Sequence, residues 1–501
     1  MKIFRTILVS ATLWLGAAGA LAQGGRAFTV VAYNVENLFD ADGVATFDDY
    51  KPDRYTRAHV LTKAQNAAAV VAQYEQGRGP DILIVNELEV DQTASGGAVD
   101  YDALLAHYAG LKLDEMLGAK FDREVADLPS EVLLAKALAD RGIPGYKILV
   151  GDNVTSQPGR KLDQRSAIFT RLPVKAVRSH PTVDARAILE VQLEIDGATF
   201  YVFANHWKSG ASDPATEATR VANAQTLRTR LDTILKDDPQ ADFVLGGDFN
   251  SQYNHKQRYP AMTVTGINDT LGAQGDELAV RTSTSALYNL WYELPPARRG
   301  SDTYRGEWGT LMHLIVSRGV YDFRGVQYVD NSFAVGKFSG LNADAQGLPV
   351  RWNGEGAKGS GFSDHFPISA RFTVVKDNDA ARYLALTNPS KPGAADRTIL
   401  KTVDYAAMDV AKEAVNVPAS VSIRTPEYKG KLFRVEGKVA PGSRLAVEFR
   451  GETYDVFSHD PALREKLRKD YAEGATMRFY GELGQYRDRW QFVVQHASWV
   501  K

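Results

Sequence analysis

Cysteine is absent from this 501-residue chain. No disulfide, cysteine-ligated zinc or thiol nucleophile is therefore available to it. An excess of charge of either sign is also missing: 59 Lys+Arg against 61 Asp+Glu leaves a net −2. A generally basic surface is thus excluded, and any attraction for a polyanion must come from a local patch. Low-complexity tracts and internal repeats are missing too. So is the nucleophile-elbow motif that would announce a Ser-His hydrolase. Beyond residue 22 no apolar run is long enough to span a bilayer. The N-terminus carries the signature of a secretory signal peptide, expected over residues 1–22. Lys2 and Arg5 precede an apolar run from Thr6 to Ala20, and Ala20-Leu21-Ala22 is a small-x-small cleavage site. The expected location is therefore secreted or periplasmic. The chain length calls for two or three domains.

The most telling stretch is Val244-Leu-Gly-Gly-Asp-Phe-Asn250. An apolar strand is ended by two glycines, and an acid and an amide stand two residues apart at its exit. Such a pair makes either a capped turn or a site that holds water and a phosphate oxygen. Other strands end in the same way. Phe28–Tyr33 leads into Asn34-Val-Glu36-Asn37, and Ile82–Val85 into Asn86-Glu87. Thr199–Ala204 leads into Asn205-His206-Trp207-Lys208, and Ser363-Asp364-His365 precedes the strand Ile368–Val375. Helical patterns at Arg57–Tyr74 and Thr216–Lys236 separate these strands, which predicts an α/β domain over 27–375. Residues 92–146, with helical patches at Tyr101–Leu117 and Ser130–Arg141, read as an insertion flanking or lidding a cleft. A Pro/Asn/Asp-rich linker is expected over 376–425, with a possible helix at Asp404–Val415. Residues 426–501 then read as three strands, a helix and two strands, the order of an OB-type barrel.

Acids, amides and imidazoles gathered at strand ends suit a hard divalent cation bound through oxygen, Mg²⁺, Mn²⁺ or Ca²⁺. With a histidine to move protons, the chemistry expected is metal-assisted phosphoester hydrolysis.

Tyr33-Asn-Val-Glu-Asn37, Val85-Asn-Glu87, Asn205-His206, Gly247-Asp-Phe-Asn250 and Ser363-Asp-His365 occur in the order seen in the endonuclease/exonuclease/phosphatase superfamily, which includes deoxyribonuclease I. The sequence resembles that family over about residues 27–375, and most resembles its exported bacterial nuclease-like members. The resemblance implies a four-layer α/β sandwich with the site at one edge of two packed sheets. It also implies roles. Glu87 is the principal metal ligand, with Asn34, Glu36 and Asp364 in or near its shell. Asp248 orients or deprotonates the attacking water, and Asn250 binds a phosphate oxygen. His365 contacts the scissile phosphate or acts as base, and His206 stabilises the transition state or protonates the leaving oxygen. Arg165, Asn205 and Lys208 are candidates for holding the substrate's phosphates.

One position departs from the pattern. Family members usually carry an acid just before the apolar strand that precedes Ser-Asp-His, and it pairs with the motif histidine. Here Met312 of Leu311-Met-His-Leu-Ile-Val316 stands in that place. Methionine is a poor acceptor for an imidazole N–H, so a formed but weaker site is expected unless Asp302, Glu307 or His313 substitutes. The expected function is a secreted nuclease cutting DNA or RNA. A phosphatase or phospholipid phosphodiesterase, or a nucleic-acid-binding protein with little turnover, is the alternative. The C-terminal region from Thr425 carries 14 Lys+Arg against 11 Asp+Glu, together with Tyr454, Phe479, Tyr480, Tyr486 and Trp490. Such a composition suits an OB barrel that stacks single-stranded nucleic acid.

Overall fold

The computed structural model describes residues 25–92, 99–152, 162–376, 378–391, 396–486 and 489–501. The predicted signal peptide, residues 93–98 of the expected insertion, and residues 377 and 392–395 of the expected linker lie outside these. Among the described residues no helix is long and apolar enough to cross a membrane. The chain divides into two units. The larger runs to Tyr304 and resumes over Trp308–Leu400; the smaller comprises Arg305–Glu307 and Lys401–Lys501.

The larger unit is built on two seven-stranded sheets. In the first, Ala27–Leu38 and Ile82–Glu89 run parallel at the centre, flanked by Ile368–Val374 on one side and Gln164–Thr170 on the other. In the second, Ala198–His206 and Phe243–Asp248 run parallel, with Met312–Val316 antiparallel beside the latter. The facing sides of the sheets share one apolar core, in which Val30, Ala32 and Ile84 meet Val202, Val244 and Leu314. Alternate residues of the same strands point outward. Val31, Tyr33, Leu83 and Val85 are covered by Val60, Ala64, Leu134 and Leu138 of the helices Arg57–Val71 and Ser130–Asp140. Phe203, Leu245 and Ile315 are covered by Leu227, Leu231 and Ile234 of Pro214–Asp237. Helix, sheet, sheet, helix is the four-layer order expected. Near-continuous apolar strands follow from it, since a strand covered on both faces has no wet side.

The segment read as an insertion behaves in two ways. Its first half makes only the short helices Tyr101–His107, Leu113–Met116 and Arg123–Ala126. Its second half, Ser130–Asp140, is buried along most of its length and forms part of the outer helical layer. The expected helix at Asp404–Val415 shrinks to one turn, Val410–Glu413.

The smaller unit is a closed five-stranded barrel, with the helix Pro461–Asp470 between its third and fourth strands. Tyr454, Phe479 and Tyr480, read as possible stacking platforms, are buried in its core. A barrel of this size fills its interior with side chains, and that need accounts for these aromatics. Tyr486, 61% exposed, and the half-buried Trp490 reach the surface.

Candidate active site

Parallel pairing places strand exits side by side. Asn34 is in register with Asn86, and His206 with Asp248. Close packing of the sheets then merges the two exits. Gly246 is what permits this closeness: a Cβ there would lie 2.4 Å from Ile84 Cδ1 of the opposite sheet. Gly247 adopts a φ of +119°, and a Cβ would lie 2.2 Å from the backbone oxygen of Asn205. The two glycines are thus required for different reasons, one for proximity and one for conformation.

Past the strands the backbone turns sharply. Four non-glycine residues at the exits take the left-handed conformation: Glu36, Asn37, Glu87 and Asn250. Such residues are costly and persist where their surroundings enforce them. Two of the turns are built alike. The Asn34 carboxamide oxygen accepts from the Glu36 backbone N–H at 2.9 Å, and Asp248 Oδ1 accepts from the Asn250 N–H at 2.8 Å. Both are Asx turns, and each leaves the rest of its side chain for the site. Asn34 Nδ2 donates to Glu87 Oε1 at 2.9 Å and to Asp248 Oδ2 at 3.2 Å. Asn34 is thereby a bridge between two carboxylates.

The two histidines close the cluster. His206 Nε2 lies 3.8 Å from both Glu87 Oε1 and Asp248 Oδ2. His365 Nε2 lies 3.8 Å from Asp248 Oδ2 and 3.8 Å from Asp364 Oδ1. Ser363 orders this loop: its hydroxyl donates to the Asn34 carbonyl at 2.7 Å and accepts from the His365 N–H at 3.1 Å.

Burial and charge set the protonation states. Burial pushes Asp248 up to about 6, although His365 and the Asn250 N–H oppose it. Glu87 is also raised, first by burial and then by Asp364. His206 is driven well below its usual value by burial, with Arg186 and His365 adding to the effect, and is neutral. Burial also acts to lower His365, but the carboxylates of Asp364, Asp248, Asp302 and Glu87 outweigh it and hold the imidazole at about 9. At neutral pH the site therefore has one cationic and one neutral imidazole.

The remaining residues fall outside this cluster. Glu36 gives both oxygens away from it, to Arg351 at 2.7–2.8 Å and to the Trp352 backbone N–H at 2.9 Å. Asn250 donates its amide to the Trp207 carbonyl at 3.1 Å. Asn205 is buried, accepting from the Trp207 indole N–H at 3.1 Å and donating to the Phe203 carbonyl. Arg165 is engaged by the buried Glu131 of Ser130–Asp140, and Lys208 pairs with Asp184 at 2.8 Å. These last three are held by protein partners.

Residues that the motifs did not single out also matter. Asn86 Oδ1 accepts from the Asp248 N–H at 2.9 Å while its amide donates to Ser166 Oγ and the Asn205 carbonyl, tying the two sheets together at the site. Its mark in the sequence was its place in Val85-Asn-Glu87, at the exit of an apolar run, where only the acid was given a role. Arg186 bears electrostatically on both Glu87 and His206. Lys63, fully buried, lies 4.4 Å from the Trp352 ring, and burial lowers its amine to about 7 against the pull of Glu36, Glu87 and Asp364. Neither Arg186 nor Lys63 had any local pattern to mark it.

Met312 is buried directly across from Asp248 and packs into the apolar core between the sheets. Of the three suggested substitutes for the missing acid, His313 is spent on Asn289 and on the Ser251 carbonyl. Glu307 belongs to the smaller unit. Asp302 pairs with His365 across an isolated antiparallel bridge and contributes to its raised pKa.

Glu87, His206 and Asp248 each offer an atom within 4.8 Å of the others. Burial makes the two carboxylates costly as anions, and a divalent cation would offset that cost. The donor set fits one.

Residues 162–374 match the model described as the Endonuclease/Exonuclease/phosphatase family. The matched stretch holds His206, Asp248, Asn250, Asp364 and His365, and is what this chain has in common with that family. Among solved structures, the chain is similar to TDP2 from C. elegans, at 17% identity over 69% of this chain and 75% of that one, with a TM-score of 0.36. It is similar to D. rerio TDP2 complexed with single strand DNA product, at 13% identity over 69% and 98%, with a TM-score of 0.36. An endonuclease/exonuclease/phosphatase family protein from Bacteroides thetaiotaomicron aligns at 16% identity over 72% and 98%, with a TM-score of 0.37. None of the curated proteins matches the sequence.

Proposed function

We propose that the chain is an exported nuclease that hydrolyses phosphodiester bonds of DNA or RNA. The observation that carries this reading is the convergence of Asn34, Glu87, His206, Asp248 and His365 at one edge of the two sheets. Asp248, raised to about 6, is poised to hold an attacking water and take its proton near neutral pH. His365, a cation at neutral pH, meets the non-bridging oxygen as charge builds on it. His206, neutral and 3.8 Å from Glu87, would donate a hydrogen bond to the leaving oxygen. Asn34 keeps Glu87 and Asp248 in register. Glu87 is the residue that would hold a Mg²⁺ or Mn²⁺ ion, with His206 and Asp248 within reach of it and the Asp364 carboxylate close enough to act on Glu87; the ion would supply charge neutralisation at the phosphoryl group. Asn86, Ser363 and Asp302 position the groups that react. In the barrel, Trp490, with the Lys429 amine 5.8 Å from its ring, and the exposed Tyr486 are two separate aromatic contacts offered to a single strand.

Digestion of plasmid and of RNA with added Mg²⁺, Mn²⁺ or Ca²⁺ tests this reading. Cleavage that stops with chelator and returns with metal is expected. Cleavage indifferent to chelator, or release of inorganic phosphate from small monoesters alone, would overturn it.

A further inference from the structure

Arg351 has no counterpart among the motifs, yet it sits on a built support. Glu36 is 6% exposed, has a left-handed backbone, and has its N–H tied to Asn34. Its Oε1 accepts from Arg351 Nε at 2.8 Å and lies 2.7 Å from Nη2, while Oε2 takes the backbone N–H of the next residue, Trp352. Trp352 is itself packed among Tyr55, His59 and Lys63. One edge of the guanidinium is thus fixed from below. The Arg351 side chain remains 67% exposed, and Nη2 lies 3.6 Å from Asp364 Oδ2, one residue before His365.

We propose that Arg351 binds a phosphate flanking the scissile one, with Glu36 as its positioning residue, so that the substrate is a strand carrying more than one phosphodiester. This rests on the phosphodiesterase reading above. A guanidinium has five N–H donors in a rigid fork, and Glu36 occupies only one edge of it. Among the described residues no protein acceptor takes the Nη1 end, which leaves donors of the right geometry for a phosphate. Support from a buried carboxylate orders the arginine before binding, so less freedom is lost on contact. An exposed ion pair made for stability alone contributes little, and here the pair stands at the rim of an acidic cluster. Glu36, Glu87, Asp248 and Asp364 together repel a polyanion, and a fixed cation beside them counters that repulsion where the strand continues past the cut. A small monoester has no second phosphate to gain from it. Glu36, assigned to the metal on resemblance, is thereby given a different task.

The test uses the full-length protein and compares a 20-nucleotide oligomer with bis(p-nitrophenyl) phosphate. Arg351→Ala is expected to raise KM for the oligomer by about tenfold with a smaller change in kcat, and to flatten the salt dependence of log kcat/KM by about one unit of slope, as removal of one phosphate contact does. The loss on the small diester is expected to be several times smaller. Glu36→Gln should reproduce part of the KM effect, and Arg351→Lys should restore part of it. Equal losses on both substrates, or an unchanged salt slope, in an Arg351→Ala protein that melts like wild type would overturn the inference. If Arg351→Ala does not fold, the same comparison is read from Arg351→Lys. If wild type cleaves neither substrate, the phosphodiesterase reading fails separately. Fluorescence anisotropy with the oligomer then decides for Arg351, and an unchanged salt slope for binding counts against it.

Discussion

Asp248 divides its two oxygens between structure and chemistry. Oδ1 closes the turn with Asn250, while Oδ2 faces Asn34, His206 and His365. The turn that the sequence posed is present, and it leaves Oδ2 facing the other polar groups; Asn34 repeats the device one sheet over. This economy explains what could be read at the residue scale. Asp, Asn, Glu and His at strand exits were legible because the turn itself needs such residues. Side chains that act through long-range contacts were not, and Arg186, Lys63 and Arg351 came from segments without pattern. Asn205 and Arg165 were misleading for the converse reason: polar residues near a site are as often consumed by its scaffold. The same logic applies to Met312. It packs in an apolar setting, whereas Asp302 stands beside His365. Met312→Leu is expected to cost less than about 1.5 kcal/mol in stability, as volume-conserving swaps do, and to leave hydrolysis close to wild type. Asp302→Ala should slow hydrolysis several-fold and move the alkaline limb of the pH–rate profile to lower pH, since one of the carboxylates that hold His365 up is gone. Steady-state rates across pH on a small diester check both variants.

At the scale of elements, the strands were legible from their apolar runs and the long helix Pro214–Asp237 from its length, read as Thr216–Lys236. Short strands such as Leu287–Asn289 and Val326–Tyr328 were not, because three residues give too little pattern to read. Closest approach falls at the glycine pair. Gly247→Ala forces a Cβ against backbone in a conformation that L-residues avoid, and should cost roughly 3 kcal/mol or more by thermal melting. Gly246→Ala meets the ends of the Ile84 and Leu314 side chains rather than backbone, so a smaller loss is expected. A second expectation concerns the strand Ile188–Ile195 and its covering helix. Burial tends to raise Glu190, but Arg230 and His180 outweigh it and hold its carboxyl down at about 2. A depressed carboxylate contributes stability above its unfolded value, and that contribution fades as pH falls through the folded one. The gap in Tm between wild type and Glu190→Gln should therefore be full at pH 6, shrink below about pH 4, and be nearly closed by pH 2.

For the whole molecule, two cores account for two units. One is the layered assembly around the paired sheets, and the other is the barrel with Tyr454, Phe479 and Trp499 at its centre. The α/β class was legible because strand–helix–strand alternation leaves few ways to pack, and the four-layer order came from the resemblance that the motifs carry. The barrel's strand order was legible as well, but its stacking surface was overestimated, since composition cannot tell a core aromatic from an exposed one. The central claim is that the edge of the two sheets is where phosphodiesters are cut, with Asp248 activating the water. Its most direct test is the rate at which full-length Asp248→Ala hydrolyses a plasmid with Mg²⁺ at neutral pH, beside a circular dichroism spectrum that establishes folding. A folded variant slowed by about a hundredfold or more, the scale of a lost general base, is expected. A folded variant that cuts as fast as wild type would contradict the assignment.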